Sequence, residues 1–413
     1  MLEKAETAGD AIVHAAGKIQ VKALCQLEKS LAPLALGDGV EYDGNDDDDK
    51  HRHEHDGDQG LHAAVLNQSR VTGHYNFRRF LEPPGTGFLL SHVSIRRHLC
   101  GVKLSAAEIR QAVRAALAED IGGGDATTLA TVPKNLTAQA IMRTREPLVV
   151  AGIEFAEMAF REIAAQYFRR DEFHESQTSG IIKLGTRGTR PSDGKIKIVK
   201  GLRDGERASD GEILLEISGP ARAILSAERV ALNFVQRLSG IATLTAQFVE
   251  AIKGMSTQIL DTRKTTPGWR RFEKYAVTCG GGKNHRLGLD DMILIKDNHL
   301  AALRNEKPNA IAAAIQRARN KFPKLKVEVE ADNLKQVEQA VNARADFILL
   351  DNMNLKQLRQ AVKIVKGRAK TEASGGVNLK TVRAIAETGV DFISVGALTH
   401  SARAVDIGLD FEN

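Results

Sequence analysis

The sequence is poor in the residues that mark disulfide-stabilised, base-stacking and membrane-spanning proteins. Its 413 residues include three cysteines, one tryptophan and four tyrosines. The cysteines are far apart and form no CxxC pair, which argues against a disulfide scaffold or a zinc ribbon and is typical of a reducing cytosol. So few aromatic side chains, without an RNP-like run, argue against stacking on bases. No run of 18 apolar residues occurs, so no membrane span is expected.

The composition is otherwise that of an ordinary globular protein. Hydrophobic residues make up 42% and charged residues 27% of the chain, and the length predicts two or three domains with a sizeable core. The first ten residues carry acids and lack an apolar h-region, so they indicate neither a secretory signal nor a good transit peptide. We therefore predict a cytoplasmic protein. The net charge of +6 either serves solubility or favours a small anionic ligand.

Residues 1–103 differ in composition from the rest of the chain. Eight of the twelve histidines lie there, and residues 41–58 hold nine acids against two bases. Such a segment buries no apolar area, so we predict a disordered extension or an artefact of the start codon. The alternative is a metal-binding tract made by His51, His53 and His55 with the neighbouring aspartates.

Residues 104–225 predict a small α+β domain. Ser105 and Glu108 form a capping-box pattern at the start of a helix, and strand-like segments follow it. Residues 169–195 are polar and rich in glycine, so we expect an inserted loop there. A long amphipathic helix is expected from about Ser226.

Residues 226–400 alternate short apolar runs with helical patterns, which predicts parallel βαβ units. Doubly wound sheets and barrels both show this alternation. The runs end in polar or glycine positions, and in a barrel nearly all strand ends contribute to one site. We therefore predict an incomplete α/β barrel, with about six countable strands at 258–260, 292–295, 326–329, 347–350, 369–371 and 392–395.

The strand ends and the helix before them concentrate positive charge. Arginine fits planar carboxylates and phosphates, and lysine supplies a point charge. Grouped cations repel one another unless an anion lies between them, so the pattern predicts a site for a ligand with several anionic groups. The cationic candidates are Arg229, Arg263, Lys264, His285, Arg286 and Lys296.

Two acids and two glycine positions complete the predicted site. Glu330 and Asp351 follow neighbouring strands, where they suit Mg²⁺ or ribose hydroxyls. Ser374-Gly375-Gly376 and Gly396 follow the last strands, where barrels commonly bind phosphate through backbone N–H groups. Paired carboxylates also suit a glycosidase, but that function leaves the cations unexplained. Lys296 suits a Schiff-base aldolase, and its sequence neighbours do not decide the matter.

The motifs of this region resemble those of the quinolinate phosphoribosyltransferase family. The resemblance covers about 104–413 apart from 169–195 and is nearly literal over long stretches. These are LDTRKTTPGWRRFEKYAVTCGGGKNHRLGLDDMILIKDNH (260–299), VEVEADNLKQ (327–336), FILLDNM (347–353), EASGGVNL (372–379) and ISVGALTHS (393–401).

This resemblance implies a fold and a reaction. An N-terminal open sandwich, completed by 401–413, is expected beside an incomplete barrel of about seven strands, in a homodimer or a larger assembly. The implied enzyme is a pentosyltransferase of de novo NAD biosynthesis. Quinolinate and phosphoribosyl pyrophosphate, with Mg²⁺ as cofactor, give nicotinate mononucleotide, pyrophosphate and CO₂. Neither nucleic acid nor membrane is expected as a partner.

The resemblance also implies roles for individual residues. The implied catalytic residues are Lys264, Lys296, Glu330 and Asp351, of which the two acids hold Mg²⁺ directly or through water. Quinolinate is assigned to Arg263, His285, Arg286 and Lys296, with Arg229 donated by a partner subunit. The 5′-phosphate of the sugar is assigned to Ser374, Gly375, Gly376, Val395, Gly396 and Ala397. Thr262 and Lys264 are further substrate-binding residues. The family pattern favours Glu330 over Glu328 as the ligand on their shared strand, and His400 is expected to pack or cap.

Three other functions are considered. A molybdenum-operon paralogue shares the fold, but the complete TRKTTPG and KNHR motifs favour quinolinate. A nicotinate phosphoribosyltransferase needs a pocket for only one carboxylate. A non-enzymatic protein, in which the Asp/His tract buffers metal beside a degraded barrel, is opposed by the intact cluster of cations.

Overall fold

The computed structural model of the protein describes residues 101–178 and 196–412. The predicted extension, apart from 101–103, and residues 179–195 of the predicted insertion lie outside these ranges. No helix within them is long and apolar enough to cross a membrane. The helices are α1 Ala106–Ile121, α2 Ala126–Thr131, α3 Ile153–Thr178, α4 Ala221–Ala251, α5 Arg270–Cys279, α6 Asp297–Ala302, α7 Ala310–Lys321, α8 Leu334–Asn342, α9 Leu355–Val365, α10 Val382–Ala386 and α11 Ala397–His400. The strands are β1 Thr137–Thr144, β2 Leu148–Val149, β3 Lys197–Lys200, β4 Arg207–Ala208, β5 Ile213–Pro220, β6 Gln258–Leu260, β7 Ile293–Ile295, β8 Val327–Ala331, β9 Phe347–Asp351, β10 Lys370–Ser374, β11 Phe392–Ser394 and β12 Ile407–Phe411.

The first helix begins where the sequence predicts it. The Glu108 N–H donates to Ser105 Oγ at 3.2 Å, and the Ser105 N–H donates to the Glu108 carboxylate at 3.0 Å. This is the predicted capping box, which satisfies two N–H groups at the start of α1. The buried face of the helix is formed by Ile109, Val113 and Leu117, and it packs against α3.

Helix α3 continues to Thr178 and so extends into residues 169–195, where an inserted loop was expected. The local sequence gives the reason. No glycine or proline occurs between Ile153 and Thr178, so no residue of the helix-breaking types interrupts it. The loop prediction for 169–178 was therefore wrong, since polar composition does not distinguish a loop from a helix.

An antiparallel sheet in the order β12-β1-β5-β3 forms the small domain. Strand β12 comes from the C-terminal segment 401–413 and pairs with β1, which places Ile407 opposite Thr144 and Phe411 opposite Ala140. The short strands β2 and β4 pair separately. The small domain therefore takes its last strand from beyond the barrel domain.

Helix α4 connects the two domains. It begins at Ala221, ahead of the predicted start at Ser226, so the predicted domain boundary falls inside one continuous helix. The ring of Phe234 on α4 stacks between Phe155 and Trp269, with ring centroids 4.8 Å apart on both sides. Because Phe155 belongs to α3 and Trp269 precedes α5, this aromatic stack packs the two domains together.

The second domain contains six parallel strands in the order β6-β11-β10-β9-β8-β7. Strands β7 to β11 each lie beside the next in sequence, and the first strand, β6, pairs with the last, β11. This cyclic order is typical of a barrel, whereas a doubly wound sheet changes direction at a switch point. Lys283 adds one isolated parallel bridge to Leu260. Six strands and this bridge are thus found where the resemblance implies about seven strands.

The strands expose alternate residues on opposite faces of the sheet. Val327 and Val329 of β8 are fully buried in the apolar core, as are Ile348 and Leu350 of β9. The residues that alternate with them point toward the interior of the curved sheet. On β8 and β9 these are Glu328, Glu330, Leu349 and Asp351.

Candidate active site

The carboxyl ends of the parallel strands surround a cavity of about 790 Å³. A volume of this size suits one or more small ligands. The structure brings every predicted site residue except Arg229 to this cavity. They are Thr262, Arg263, Lys264, His285, Arg286, Lys296, Glu330, Asp351, Ser374, Gly375, Gly376, Val395, Gly396 and Ala397.

One wall of the cavity carries cations without counterions. In the described part of the chain, none of Arg263, Lys264 and Arg286 forms a salt bridge. The Nε of Arg263 is buried and has no hydrogen-bond partner. Burial and the nearby charge of Arg263 lower the pKa of Arg286 below its usual value. Cations that are partly buried and form no salt bridge are costly, so Arg263 and Arg286 suit an anionic ligand.

Lys296 lies across the cavity entrance beside Glu330. Its Nζ is 3.0 Å from Glu330 Oε2, and half of the lysine side chain is exposed. Its backbone N–H donates to His299 Nδ1 at 2.9 Å, which fixes the start of α6. An ion pair this exposed contributes little to stability, so the lysine is free to turn to a ligand at small cost.

A cluster of three acids lies at the ends of β8 and β9. Oxygen atoms of Glu330, Asp332 and Asp351 all lie within 4.8 Å of one another. The side chain of Asn352 donates to Asp351 at 2.7 Å and orients that carboxylate. Such hard oxygen ligands fit Mg²⁺, which also takes oxygens from phosphate groups. The sequence analysis missed Asp332, which lies just beyond the strand that carries Glu330.

Strand β10 runs to Ser374, whereas the sequence predicted a strand at 369–371, so Glu372 lies within the strand and not beyond its end. The side chain instead lies one layer deeper, where it is buried. Oε2 of Glu372 is 3.4 Å from His285 Nε2, and Oε2 of the fully buried Glu328 is 3.0 Å from the same nitrogen. A buried carboxyl pair thus lies beneath His285, and neither acid was among the predicted ligands.

This buried group retains a proton near neutral pH. Burial and the charge of Glu372 raise the pKa of Glu328 to about 7. Burial opposes a second proton on His285, and so does the Arg286 N–H that donates to Nδ1 at 2.8 Å. Glu372 and Glu328 nevertheless raise the pKa of His285 above its usual value.

Replacement of Glu328 by Gln should therefore change how stability depends on pH. A carboxyl whose pKa is raised from 4.5 to about 7 in the folded state makes the folded protein bind more protons across that window, so its contribution to the unfolding free energy falls as pH rises. Glutamine does not ionise. Relative to the wild type, the unfolding free energy of Glu328→Gln should therefore rise by roughly 3 kcal/mol between about pH 4.5 and pH 8.

Urea unfolding of both proteins at the two pH values measures this difference. Glu387→Gln removes an exposed carboxyl on the surface and serves as the control, for which no such change is expected. A difference between Glu328→Gln and the wild type that stays constant with pH would show that Glu328 is ionised throughout.

Two glycine loops form the remaining wall. Gly375 has a φ of +100°, in the left-handed region that side chains rarely adopt. A Cβ at this position would lie 2.1 Å from Asn352 Oδ1. At Gly396, a Cβ would meet His400 Nε2 at 3.1 Å and Lys264 Cδ at 3.2 Å. Both loops therefore keep their backbone close to the cavity, which suits binding of phosphate oxygens by N–H groups.

Several other cavity residues were missed by sequence reasoning. His400 was expected to pack or cap, but it lines the cavity beside Gly396. The two-residue period of β7 and β9 would have identified the leucines once the strands were placed. Nothing in the sequence singles out the rest. The additional lining residues are Leu294, Leu349, Asn352, Glu372, Val377, Ser394 and His400.

Arg229 is exposed on α4 and does not line the cavity of its own chain. Its donation by a partner subunit stays a prediction.

Fold and site together define an α/β enzyme that acts on substrates with several anionic groups. Two family models match the chain: the quinolinate phosphoribosyl transferase C-terminal domain over residues 241–410 and the N-terminal domain over residues 194–239. The chain belongs to the quinolinate phosphoribosyltransferase family, which confirms the resemblance of its motifs.

Individual relatives agree with this assignment. The nicotinate-nucleotide pyrophosphorylase (carboxylating) of Mycobacterium leprae is 41% identical over 305 residues, which cover 73% of this chain and 96% of the relative. The chloroplastic enzyme of the same name from Arabidopsis thaliana is 37% identical over 74% of this chain and 83% of its own length. Among solved structures, the nicotinate-nucleotide pyrophosphorylase of Francisella tularensis superposes with a TM-score of 0.64 at 36% identity, covering 75% of this chain and 98% of that structure.

Proposed function

We propose that the protein transfers the phosphoribosyl group of phosphoribosyl pyrophosphate to quinolinate and releases the 2-carboxylate as CO₂. The products are nicotinate mononucleotide and pyrophosphate, so the enzyme is a pentosyltransferase of NAD biosynthesis. Its family membership supports this reaction. The observation that carries it is the cavity itself, in which cations without salt bridges face a carboxylate cluster and two glycine loops.

The cationic wall suits the two carboxylates of quinolinate. Arg263 and Arg286 bind planar carboxylates through two parallel N–H donors each. His285 and Lys296 complete the wall, and the buried pair beneath His285 fixes the imidazole ring. The floor of the cavity includes Leu349, whose apolar side chain suits the face of the pyridine ring.

The glycine loops suit the 5′-phosphate of the sugar, and Glu330 and Asp351 suit the ribose hydroxyls. With Asp332, the same two acids would hold Mg²⁺. When bound there, Mg²⁺ supplies positive charge that stabilises the departing pyrophosphate. The side chain of Lys264 lies against Gly396, between the phosphate loop and the cationic wall. From there it would bind the pyrophosphate or a quinolinate carboxylate.

The reaction needs no protein nucleophile. The bond from C1 of the sugar to pyrophosphate breaks, C1 gains oxocarbenium character, and the pyridine nitrogen of quinolinate captures it. The ring nitrogen becomes cationic and stabilises the electron pair left on C2 when the C2–carboxylate bond breaks and CO₂ departs. A proton taken up from water then forms the C2–H bond of nicotinate mononucleotide. The protein contributes by holding the reacting atoms in place and by stabilising the charges that develop.

We also propose a homodimer or larger assembly in the cytoplasm, in which Arg229 of one subunit enters the cavity of another. The exposed position of Arg229 on α4 supports this arrangement. Neither nucleic acid nor membrane is proposed as a partner.

Turnover of the purified full chain tests the function. With quinolinate, phosphoribosyl pyrophosphate and Mg²⁺, nicotinate mononucleotide and CO₂ from the ring carboxyl should appear in equal amounts, and chelation of the metal should stop both. Nicotinate serves as the parallel substrate and should give no mononucleotide. If the protein turns over nicotinate but not quinolinate, the assignment of the second carboxylate site is overturned. If the folded protein turns over neither compound, the molybdenum-operon paralogue is favoured.

A further inference from the structure

Helix α5 lies beneath the substrate loops and carries two adjacent, oppositely charged residues that the mechanism does not use. Glu273 and Lys274 are both fully buried. Buried charges are costly unless they are paired and hydrogen-bonded. Successive residues on a helix point about 100° apart, so these two side chains leave α5 in different directions.

The Glu273 side chain reaches the loop that follows Arg263 and Lys264. It accepts from the Thr266 N–H at 3.1 Å and from the Thr266 hydroxyl at 2.8 Å. It also accepts from Arg237 of α4 at 2.8 Å. This carboxylate therefore ties the loop to the long helix.

Arg237 extends the same connection to the phosphate loop. Its guanidinium donates to the backbone carbonyls of Thr399 at 2.5 Å and Ala402 at 2.6 Å. The Thr399 hydroxyl in turn donates to the carbonyl of Lys264 at 2.7 Å. Thr399 belongs to α11, which begins directly after Gly396, so Glu273 acts through Arg237 on the loop assigned to the 5′-phosphate.

Lys274 reaches the opposite loop. Its ammonium group donates to the carboxylate of the fully buried Asp261 and to the carbonyl of His285 at 2.9 Å. Asp261 also accepts from the His285 N–H at 2.8 Å and from the Asn284 side chain at 2.6 Å. The backbone that carries His285 and Arg286 is thus held at three points by one ion pair and its neighbour.

We propose that Glu273 and Lys274 are positioning residues with different targets. Glu273 acts through Arg237 on the loop assigned to the 5′-phosphate and through Thr266 on the segment that carries Arg263 and Lys264. Lys274 holds the loop that carries His285 and Arg286, which is assigned to quinolinate. The proposal rests on the proposed function. Neither side chain lines the cavity, so each acts through the residues that do. Displacement of a binding group by about 1 Å is enough to cost up to 100-fold in rate, which gives rigid support of these loops a measurable effect.

Two variants test each side. Glu273→Gln loses the charge that binds Arg237, and Arg237→Lys keeps a charge but cannot reach both carbonyls as a planar fork. Arg237→Lys leaves the contacts of Glu273 with Thr266, so it should raise KM for phosphoribosyl pyrophosphate at least tenfold and leave KM for quinolinate within about threefold. Glu273→Gln also loosens the segment that carries Arg263, so it should raise both KM values, that for phosphoribosyl pyrophosphate by the larger factor. The double variant Asp261→Asn/Lys274→Met avoids a lone buried charge, and Asn284→Ser removes a tie to Asp261. Both should show the reverse pattern.

Arg271→Gln is the matched control, because Arg271 is an exposed residue of the same helix that pairs with Glu108 of α1. Both KM values should stay at wild-type levels. Thermal unfolding of every variant separates support of the whole fold from support of one loop. Equal rises of both KM values that track the loss of stability would overturn the proposal, and so would unchanged KM values in folded variants. A wild-type protein that does not turn over quinolinate contradicts the proposed function instead.

Discussion

Replacement of Lys296 by Met should reduce kcat/KM for quinolinate by about 100-fold to 1,000-fold while leaving the fold intact. The lysine contributes a positive charge at the cavity, and its side chain pairs only with Glu330 at 3.0 Å among the described residues. An ion pair with a half-exposed lysine is worth at most about 1 kcal/mol, so thermal unfolding should change little. Initial rates and a melting curve measure the two effects separately.

Lys356→Met is the matched control, since Lys356 is exposed on α9 away from the cavity, and its kcat/KM should equal that of the wild type. A Lys296→Met enzyme with wild-type kcat/KM would remove Lys296 from the site. The same variant also tests the proposed assembly. Mixed with Arg229→Ala, which should be equally inactive, it should recover about a quarter of wild-type activity if subunits exchange, because mixed dimers contain one intact site.

Replacement of Gly375 by Ala should weaken binding of phosphoribosyl pyrophosphate by at least about 100-fold and lower the unfolding free energy by about 1–3 kcal/mol. The added Cβ would lie 2.1 Å from Asn352 Oδ1 and 3.1 Å from the Asn352 Cα. Asn352 has little freedom to move, because its N–H donates to Ser374 and its side chain donates to Asp351. The substitution therefore disturbs the phosphate loop and an acid of the metal cluster together.

Substitutions at two other glycines distinguish the steric clash with Asn352 from backbone strain. Gly376 has a φ of +60° but no neighbour within 4 Å of a Cβ, and Gly123 has neither restriction. Gly376→Ala should lose about 1–2 kcal/mol through strain alone, and Gly123→Ala should be neutral. Titration calorimetry with phosphoribosyl pyrophosphate and urea unfolding test the series. Equal losses of affinity in Gly375→Ala and Gly376→Ala would show that contact with Asn352 is not the cause.

Local patterns were sufficient for much of the fold. The capping box at Ser105 and the alternation of apolar runs with helices depend on residues close together in the sequence. They can therefore be recognised without knowledge of the tertiary structure. The prediction failed at residues 169–178, where polar composition suggested a loop but no breaker ended α3. The predicted start of α4 at Ser226 was also too late, because the helix begins at Ala221, directly after β5.

The candidate site was predictable for a different reason. Parallel strands in a barrel end at one edge, so polar residues that follow each strand converge even when they are far apart in sequence. Glu372 shows the limit of this argument. The predicted end of β10 was three residues too early, so Glu372 was expected at the cavity rim but is buried below it. Strand ends are the least certain part of a sequence-based prediction.

The charge and spacing of the strand-end residues were enough to predict an anionic ligand, because cations grouped in one place repel one another unless an anion lies between them. The tertiary structure decided which charged side chains line the cavity and which lie beneath it. Glu273 and Lys274 carry charged side chains, which are mostly exposed in proteins, yet both are fully buried here. Their partners, Thr266, Arg237 and Asp261, belong to separate segments, and only the packing of α5 beneath the two loops brings them within hydrogen-bonding distance.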